Sequence, residues 1–193
     1  MRGRTNFGAG PLRGDVAVPG DKSISHRALI AAACANVPMV VTNLNPGRDV
    51  RATIEALQAL GVTVKPEAQS VRVISAGLRP PPAPLDCANS GSTVRMLLGA
   101  CAGANVPACF DGDESLRHRP MEPVAAQLRA FGARIDTTDG LLPMNLWGTP
   151  EIQTRNFILL APSAQVKTAL LFAGAFAGVA ITIAGDRGSR DHT

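Results

Sequence analysis

The chain has 193 residues, 46% of them hydrophobic, 4% aromatic and 18% charged, with a net charge of +4. That size suits one domain, or one and a fraction, around a core of alanine, leucine and valine. The modest charge, the lack of tyrosine and a lysine set confined to Lys22, Lys65 and Lys167 argue against a nucleic-acid binder, which needs bases along one face and aromatics for stacking.

Residues 1–14 are polar and glycine-rich, and read as an extended segment or one that crosses to another part of the molecule. They carry arginines but no apolar run, so no signal peptide is expected. A first unit is read over about 15–77. Val16 and Val18 suggest a short strand. Gly20-Asp21-Lys22-Ser23-Ile24-Ser25-His26-Arg27 follows, and then the apolar helical run Ala28–Ala33. Strand, turn and helix in that order put Lys22 and Ser23 at a helix mouth, where free backbone N–H groups and the positive dipole end point outward. Ser23 suits the N-cap. A lysine, a hydroxyl and Arg27 one turn on make an anion cradle. The plain alternative is a capped helix with a solvated basic turn. The unit continues with a strand at Val40–Thr42, the landmark Arg48, a helix from Val50 to Leu60 closed by Gly61, and strands at Val62–Val64 and Val71–Ile74. The stretch Arg79–Pro84 is too rich in proline to be helical and reads as a stiff linker.

A second unit is read over about 85–148. Asn89-Ser90-Gly91-Ser92-Thr93-Val94-Arg95 opens a leucine- and alanine-rich helix, and Ala108–Phe110 forms the next strand. The loop Asp111–Pro120 is the most charged stretch of the chain. Either Arg117 and Arg119 pair with Asp111, Asp113 or Glu114, or Pro120 starts the next helix and sets Arg119 at its mouth. That helix runs from Met121 to Phe131 and stops at Gly132, before strands at Arg134–Asp136 and Leu146–Trp147. A third unit, over about 157–193, repeats the opening as Pro162-Ser163-Ala164-Gln165-Val166-Lys167. Its helix, Thr168–Ala180, is too short to span a bilayer. A strand at Ile181–Ile183 and the landmark Arg190 follow. The bases Arg27, Arg95 and Lys167, and the landmarks Arg48, Arg119 and Arg190, recur at intervals of about 70 residues. The third unit halts where its second helix should begin, so the chain is expected to be a fragment of something longer.

The cysteines Cys34, Cys87, Cys101 and Cys109 show no C-x-x-C spacing, which favours buried thiols in a reduced cytoplasm. The three histidines fall in no zinc-ligand pattern, so no metal is expected.

The motifs Gly20–Ala28, Asn89–Arg95, Arg117-His118-Arg119-Pro120-Met121, Ser163–Lys167 and Ser189-Arg190-Asp191-His192-Thr193, in this order, closely resemble the 5-enolpyruvylshikimate-3-phosphate (EPSP) synthase family. The resemblance covers essentially the whole chain, as the N-terminal portion of such an enzyme. It implies an α/β (α+β) fold: the inside-out α/β barrel of the enolpyruvyl transferases, built from repeated βαβαββ units with the third cut short. Residues 15–193 would be an incomplete N-terminal domain, the second domain being absent. The implied reaction moves the enolpyruvyl group of phosphoenolpyruvate to the 5-hydroxyl of shikimate 3-phosphate and releases phosphate, in the cytoplasm, without cofactor or metal.

By resemblance, Lys22 touches both substrates, and Ser23 and Arg27 hold shikimate 3-phosphate. Ser163, Ala164 and Gln165 line the same substrate, and Gln165 also reaches phosphoenolpyruvate. Gly91 and Arg119 belong to the phosphoenolpyruvate side, Ser189 matches a further shikimate-phosphate contact, and Arg95, Lys167 and Arg190 are supporting. Ala164 stands where some relatives have serine. The proton-transfer carboxylates of the family lie in its second domain, so the catalytic set has no member here and the isolated chain is expected not to turn over. With Gly91 unsubstituted, sensitivity to glyphosate is implied. The sister family that acts on UDP-N-acetylglucosamine fits less well. It has asparagine where Ser23 stands, and its loop cysteine has no counterpart in Asp111–Pro120. A non-catalytic anion-binding module is the reading from another class: the truncated third unit keeps it open for this chain, while the intact Lys22, Arg119 and Gln165 argue against it for the parent enzyme.

Overall fold

The computed structural model describes residues 10, 14–152, 156–159 and 163–185. Chain order gives α1 (Lys22–Cys34), β1 (Met39–Thr42), α2 (Arg48–Ala59), β2 (Thr63–Glu67), β3 (Ser70–Ile74), β4 (Leu85–Asp86), α3 (Gly91–Gly103), β5 (Ala108–Asp111), α4 (Glu114–Arg117), α5 (Glu122–Phe131), β6 (Arg134–Thr138), β7 (Leu141–Gly148), β8 (Asn156–Leu159), α6 (Ala164–Ala177) and β9 (Thr182–Gly185). The α-β-α-β-β unit read from the sequence is present twice.

The described strands form three small sheets in the orders β1-β3-β2, β4-β5-β7-β6 and β8-β9. In the first two sheets, β1, β3 and β2 correspond to β5, β7 and β6, each antiparallel to its neighbour. The second sheet adds β4, parallel to β5, with Leu85 opposite Phe110. The third pairs β8 and β9 in parallel across α6.

The helices differ in kind. On α2 the buried positions Val50, Thr53 and Leu57 share one stripe, while Arg51 and Glu55 pair at i,i+4 on the outer face. In contrast, α3 has almost no outer face: apart from Arg95 its residues are buried, and it packs against α1, α2, α5 and α6 and against β5 and β7. A helix apolar all round belongs inside. The closest packing is between α3 and α6. A Cβ placed on Gly99 would lie 2.0 Å from the carbonyl oxygen of Ala169, and one on Gly103 would lie 2.1 Å from that of Ala173. The i,i+4 spacing sets both glycines on one stripe of α3, and without Cβ atoms they let the two backbones touch.

Several expectations are corrected. Val16 and Val18 form no strand; they are 85% and 71% exposed, and no described strand lies beside them to take their backbone hydrogen bonds. The N-cap of α1 is Asp21, not Ser23: its carboxylate accepts from the Ile24 N–H at 2.8 Å, and Ser23 falls inside the first turn. An aspartate in the capping position competes well for the same orphan donors. Pro120 does not start α5; that helix begins at Glu122 and takes Pro123 in its first turn. The short α4 inside the charged loop was not foreseen, nor were the brief strands β4 and β8. Gly61 and Gly132 take positive φ where α2 and α5 stop, as expected, and Gly178 does the same for α6, which ends three residues sooner than its sequence suggests. Cys87 and Cys101 are buried and Cys34 and Cys109 half-buried, all as free thiols. Burial pushes the Cys87 thiol up to about 12. No described helix is long and apolar enough to cross a membrane.

Gly99→Ala and Gly103→Ala should each destabilise the chain by about 2 kcal/mol or more through overpacking, read as a lowered urea midpoint at unchanged slope. Ala169→Gly should not rescue Gly99→Ala, because the clash is with the backbone oxygen, carbon and Cα of residue 169.

Candidate functional site

Three of the helix mouths carry the sequence motifs. Asp21 caps α1, Ser90 caps α3 through the Thr93 N–H, and Ser163 caps α6 through the Val166 N–H. The three bases stand further into their helices than expected, at the fourth to sixth helical residues. Side chains on a helix lean toward its N-terminus, so Arg27 and Arg95 still reach back to the mouth. Arg27 Nη1 donates to the Ser23 carbonyl at 3.1 Å, and Arg95 Nη1 lies 3.5 Å from the Gly91 carbonyl.

Two groups of residues result. On α1, the Lys22 ammonium pairs with Asp49 Oδ2 at 2.8 Å across the first turn of α2. Both partners are partly solvated, so the pair is weak and an arriving anion can compete for the lysine. Arg27 Nε donates to Thr168 Oγ1 at 3.1 Å, and Thr168 donates to the Ala164 carbonyl at 2.7 Å. This joins Arg27 and Ser23 to the first turn of α6.

The second group surrounds Gly91. Arg95 Nη1 donates to Gln165 Oε1 at 2.7 Å, and Arg95 Nη2 donates to the Pro120 carbonyl at 3.0 Å. Gln165 Nε2 donates in turn to Ser92 Oγ at 2.9 Å. Arg119 donates to Asn89 Oδ1. A Cβ on Gly91 would sit 2.6 Å from Arg95 Nη1 and 3.6 Å from Arg119 Nη1, so Arg95 occupies the space that this glycine leaves open and Arg119 borders it at ordinary contact distance. Among the described residues, neither arginine forms a salt bridge; their partners are amide and carbonyl oxygens. The Arg95 pKa is held below its usual value by burial and by the Arg119 charge beside it. Two guanidiniums held together by neutral acceptors leave positive charge for an incoming anion.

The neighbouring charged loop shows the other behaviour. Arg117 makes a two-pronged pair with Asp111 at 2.8 and 2.5 Å, which holds the Asp111 carboxyl below its usual range. The pairing alternative therefore holds for Arg117 and fails for Arg119.

The structure thus gathers Lys22, Ser23, Arg27, Gly91, Arg119, Ser163, Ala164 and Gln165 at the mouths of α1, α3 and α6. Ser189 and Arg190 lie outside the described residues. Sequence reasoning missed Asp49 and Asn89, the partners of Lys22 and Arg119, and underrated Arg95. Asn89 stood in a quoted motif, but nothing in the sequence said which base it would meet.

Behind the mouths lies a buried histidine. His26 is fully buried; its Nδ1 shares a 2.6 Å hydrogen bond with Thr53 Oγ1, and its Nε2 has no partner among the described residues. Burial first of all lowers its pKa from 6.5 to about 4; Lys22 and Arg27 add to this, against Asp49 and Asp21.

Comparison with known proteins agrees with the motifs. The family model for EPSP synthase (3-phosphoshikimate 1-carboxyvinyltransferase) matches residues 7–193. A 3-phosphoshikimate 1-carboxyvinyltransferase of Geobacillus kaustophilus is 44% identical over 187 residues, covering 94% of this chain and 44% of that protein. Another, from Anaeromyxobacter sp. strain K, is 44% identical over 188 residues, covering 96% and 42%. The solved EPSP synthase of Acinetobacter baumannii superposes with a TM-score of 0.86 at 35% identity, over 93% of this chain and 42% of that one. The enolpyruvyl transferase NikO of Streptomyces tendae, at a TM-score of 0.60 and 22% identity, shares the fold. The chain spans somewhat under half the length of these relatives.

A folded-state His26 pKa below the unfolded value makes stability fall with acid. The unfolded chain takes up a proton near pH 6.5 and the folded one near pH 4, so this contribution is complete above pH 6.5 and is lost as pH falls toward 4. The loss should reach about 3 kcal/mol at the low end. Urea unfolding of wild type against His26→Asn from pH 7.5 to 4.5 should show the slope in the former and a flatter profile in the latter.

Proposed function

The chain belongs to the EPSP synthase family, and from that premise we propose that it supplies the substrate-holding wall of an enolpyruvyl transferase acting on phosphoenolpyruvate and shikimate 3-phosphate. The observation that carries this reading is the pair Arg95 and Arg119, packed around Gly91 and held by neutral oxygens. Both proposed substrates bear a phosphate and a carboxylate, and two such anions share a cleft only where fixed positive charge and N–H donors face them.

The residue roles follow the two groups. Lys22, Ser23 and Arg27 at α1, with Ser163 and Ala164 at α6, would hold shikimate 3-phosphate. Ser163 Oγ accepts from the Val166 N–H, which leaves its O–H free to donate to a phosphate oxygen. Ala164 has no hydroxyl and would serve through its backbone. Gly91 and Arg119 would hold phosphoenolpyruvate, with Gln165 between the two substrates. Ser189 belongs to this reading on its motif alone.

The wider picture rests on the same family. Helix mouths lining one cleft suit an inside-out α/β barrel of βαβαββ units. The proton-transfer carboxylates and the opposing wall would come from the portion of the relatives that this chain does not align with. A cytoplasmic setting and reduced thiols fit the same reading. Relatives named for the shikimate 3-phosphate reaction favour it over the UDP-N-acetylglucosamine one.

Shikimate 3-phosphate titrated into the 193-residue chain, with amide NMR shifts followed, should move signals around Lys22–Arg27 and Ser163–Lys167. UDP-N-acetylglucosamine should move neither set. Arg27→Ala should weaken the binding roughly 10- to 100-fold, the range of one lost charge-assisted hydrogen bond. A response to the nucleotide sugar in place of shikimate 3-phosphate, or to neither, would sink the reading.

A further inference from the structure

Three helix N-termini meet behind this site. α1, α2 and α3 pack pairwise against one another, and His26, Thr53 and Thr93 stand in their first two turns. Each helix presents the positive end of its dipole, and like ends repel. Lys22 and Arg27 add unit charges of the same sign. Something must hold these ends together before any anion arrives. At the surface, carboxylates offset part of this: Asp21 caps α1, and Asp49 in the first turn of α2 pairs with Lys22.

The buried contact between the helices is neutral instead. His26 Nδ1 is 2.6 Å from Thr53 Oγ1, Thr53 Oγ1 is 2.8 Å from Thr93 Oγ1, and Thr93 Oγ1 is 2.7 Å from Ser90 Oγ, the cap of α3. Thr93 Oγ1 also lies 3.3 Å from the carbonyl of Asp49, the residue that pairs with Lys22. His26, Thr53, Thr93 and Ser90 are all fully buried. Each joins a different piece of the site: His26 precedes Arg27, Thr93 follows Gly91 by two residues, and Thr53 lies one turn beyond Asp49.

We propose that His26, Thr53 and Thr93 form a positioning relay for the anion site, holding Lys22 and Arg27 on α1 at a fixed distance from Gly91 on α3. The relay touches no ligand. It acts through the first helical turns, and ligand affinity depends on it although no member lines the site. Thr53 is the central member, because its hydroxyl is shared by the other two. Ordinary packing does not require this chemistry: valine has nearly the shape of threonine, and replacing all partners of a buried network by apolar groups is often neutral for stability. This inference rests on the substrate reading given above.

The test compares Thr53→Val, Thr53→Ser and the triple variant His26→Leu/Thr53→Val/Thr93→Val in the 193-residue chain. Each is assayed for shikimate 3-phosphate affinity at a temperature where circular dichroism shows it folded. Thr53→Val should weaken binding at least tenfold, and Thr53→Ser, which restores the hydroxyl, should recover most of it. The triple variant should bind as poorly as Thr53→Val even where its unfolding midpoint equals that of wild type. Wild-type affinity in folded Thr53→Val, or in the triple variant, would overturn the relay. If wild type binds no shikimate 3-phosphate, the substrate reading fails, and amide hydrogen exchange still judges the relay. Thr53→Val should then lose protection together in the first turns of α1 and α3; loss confined to α2 would overturn it.

Discussion

The site depends on two helix backbones lying in contact. Gly99 and Gly103 of α3 face the carbonyls of Ala169 and Ala173 on α6 with no room for a methyl group between them. The match of two i,i+4 pairs fixes both the separation of the helices and their register along the axis. A slide by one residue would put Leu98 or Ala100 in the place of Gly99, and Ala102 or Ala104 in the place of Gly103. Each of these carries the Cβ that the seam cannot hold. This register brings the first turn of α6 beside the first turn of α3. Gln165 can then accept from Arg95 and donate to Ser92 at hydrogen-bond distance. The placing of Gln165 against Arg95 and Ser92 is thus set by the core, while Arg119, Asn89 and Pro120 join them from the adjoining loops.

The electrostatic balance at Gly91 can be weighed. Two like unit charges on either side of one glycine repel by on the order of a few kcal/mol at the effective dielectric constant of a protein surface. Each neutral hydrogen bond that restrains a guanidinium returns about 1–3 kcal/mol. Arg95 has such bonds to Gln165 and Pro120, and Arg119 has one to Asn89. Together these bonds suffice to offset the repulsion, and a bound anion would turn it into attraction toward a shared partner. The contrast with Arg117 is instructive. Its two-pronged pair with the Asp111 carboxylate neutralises its charge, so it offers an anion far less than Arg95 or Arg119 does.

Much of the architecture was legible because it is written in local chemistry. Glycines mark the ends of α2 and α5, alanine- and leucine-rich runs mark the helices, and the interval of about 70 residues exposes the repeat. The helix-mouth residues were legible for the same reason. What was not legible depends on partners distant in sequence. Val16 and Val18 have the residues of a strand, but a strand exists only with a neighbour to bond. Leu85 and Asp86 look less strand-like and yet pair with β5, because that edge lies open beside them. Asp21 took the cap from Ser23 in a competition between near neighbours that the sequence alone leaves open. Asp49, Asn89 and the Thr53–Thr93 contact join positions dozens of residues apart, and no spacing rule connects them.

The three mouths are not equivalent, and the difference lies in their caps. α1 is capped by the Asp21 carboxylate, which offsets part of its dipole. α3 and α6 are capped by the hydroxyls of Ser90 and Ser163, and neither has an acidic residue in its first turn. Their fields are therefore undiminished, and they open beside Arg95 and Arg119. At α1 the positive potential must come from Lys22 and Arg27, whose charges sit on side chains and not in the backbone. A ligand group near Gly91 meets fixed dipoles and restrained guanidiniums. One near Lys22 meets an ammonium that must first leave Asp49. The α3–α6 mouth thus meets a ligand with its charges already released, whereas at the α1 mouth the helix is fixed and only the Lys22 side chain must change partner.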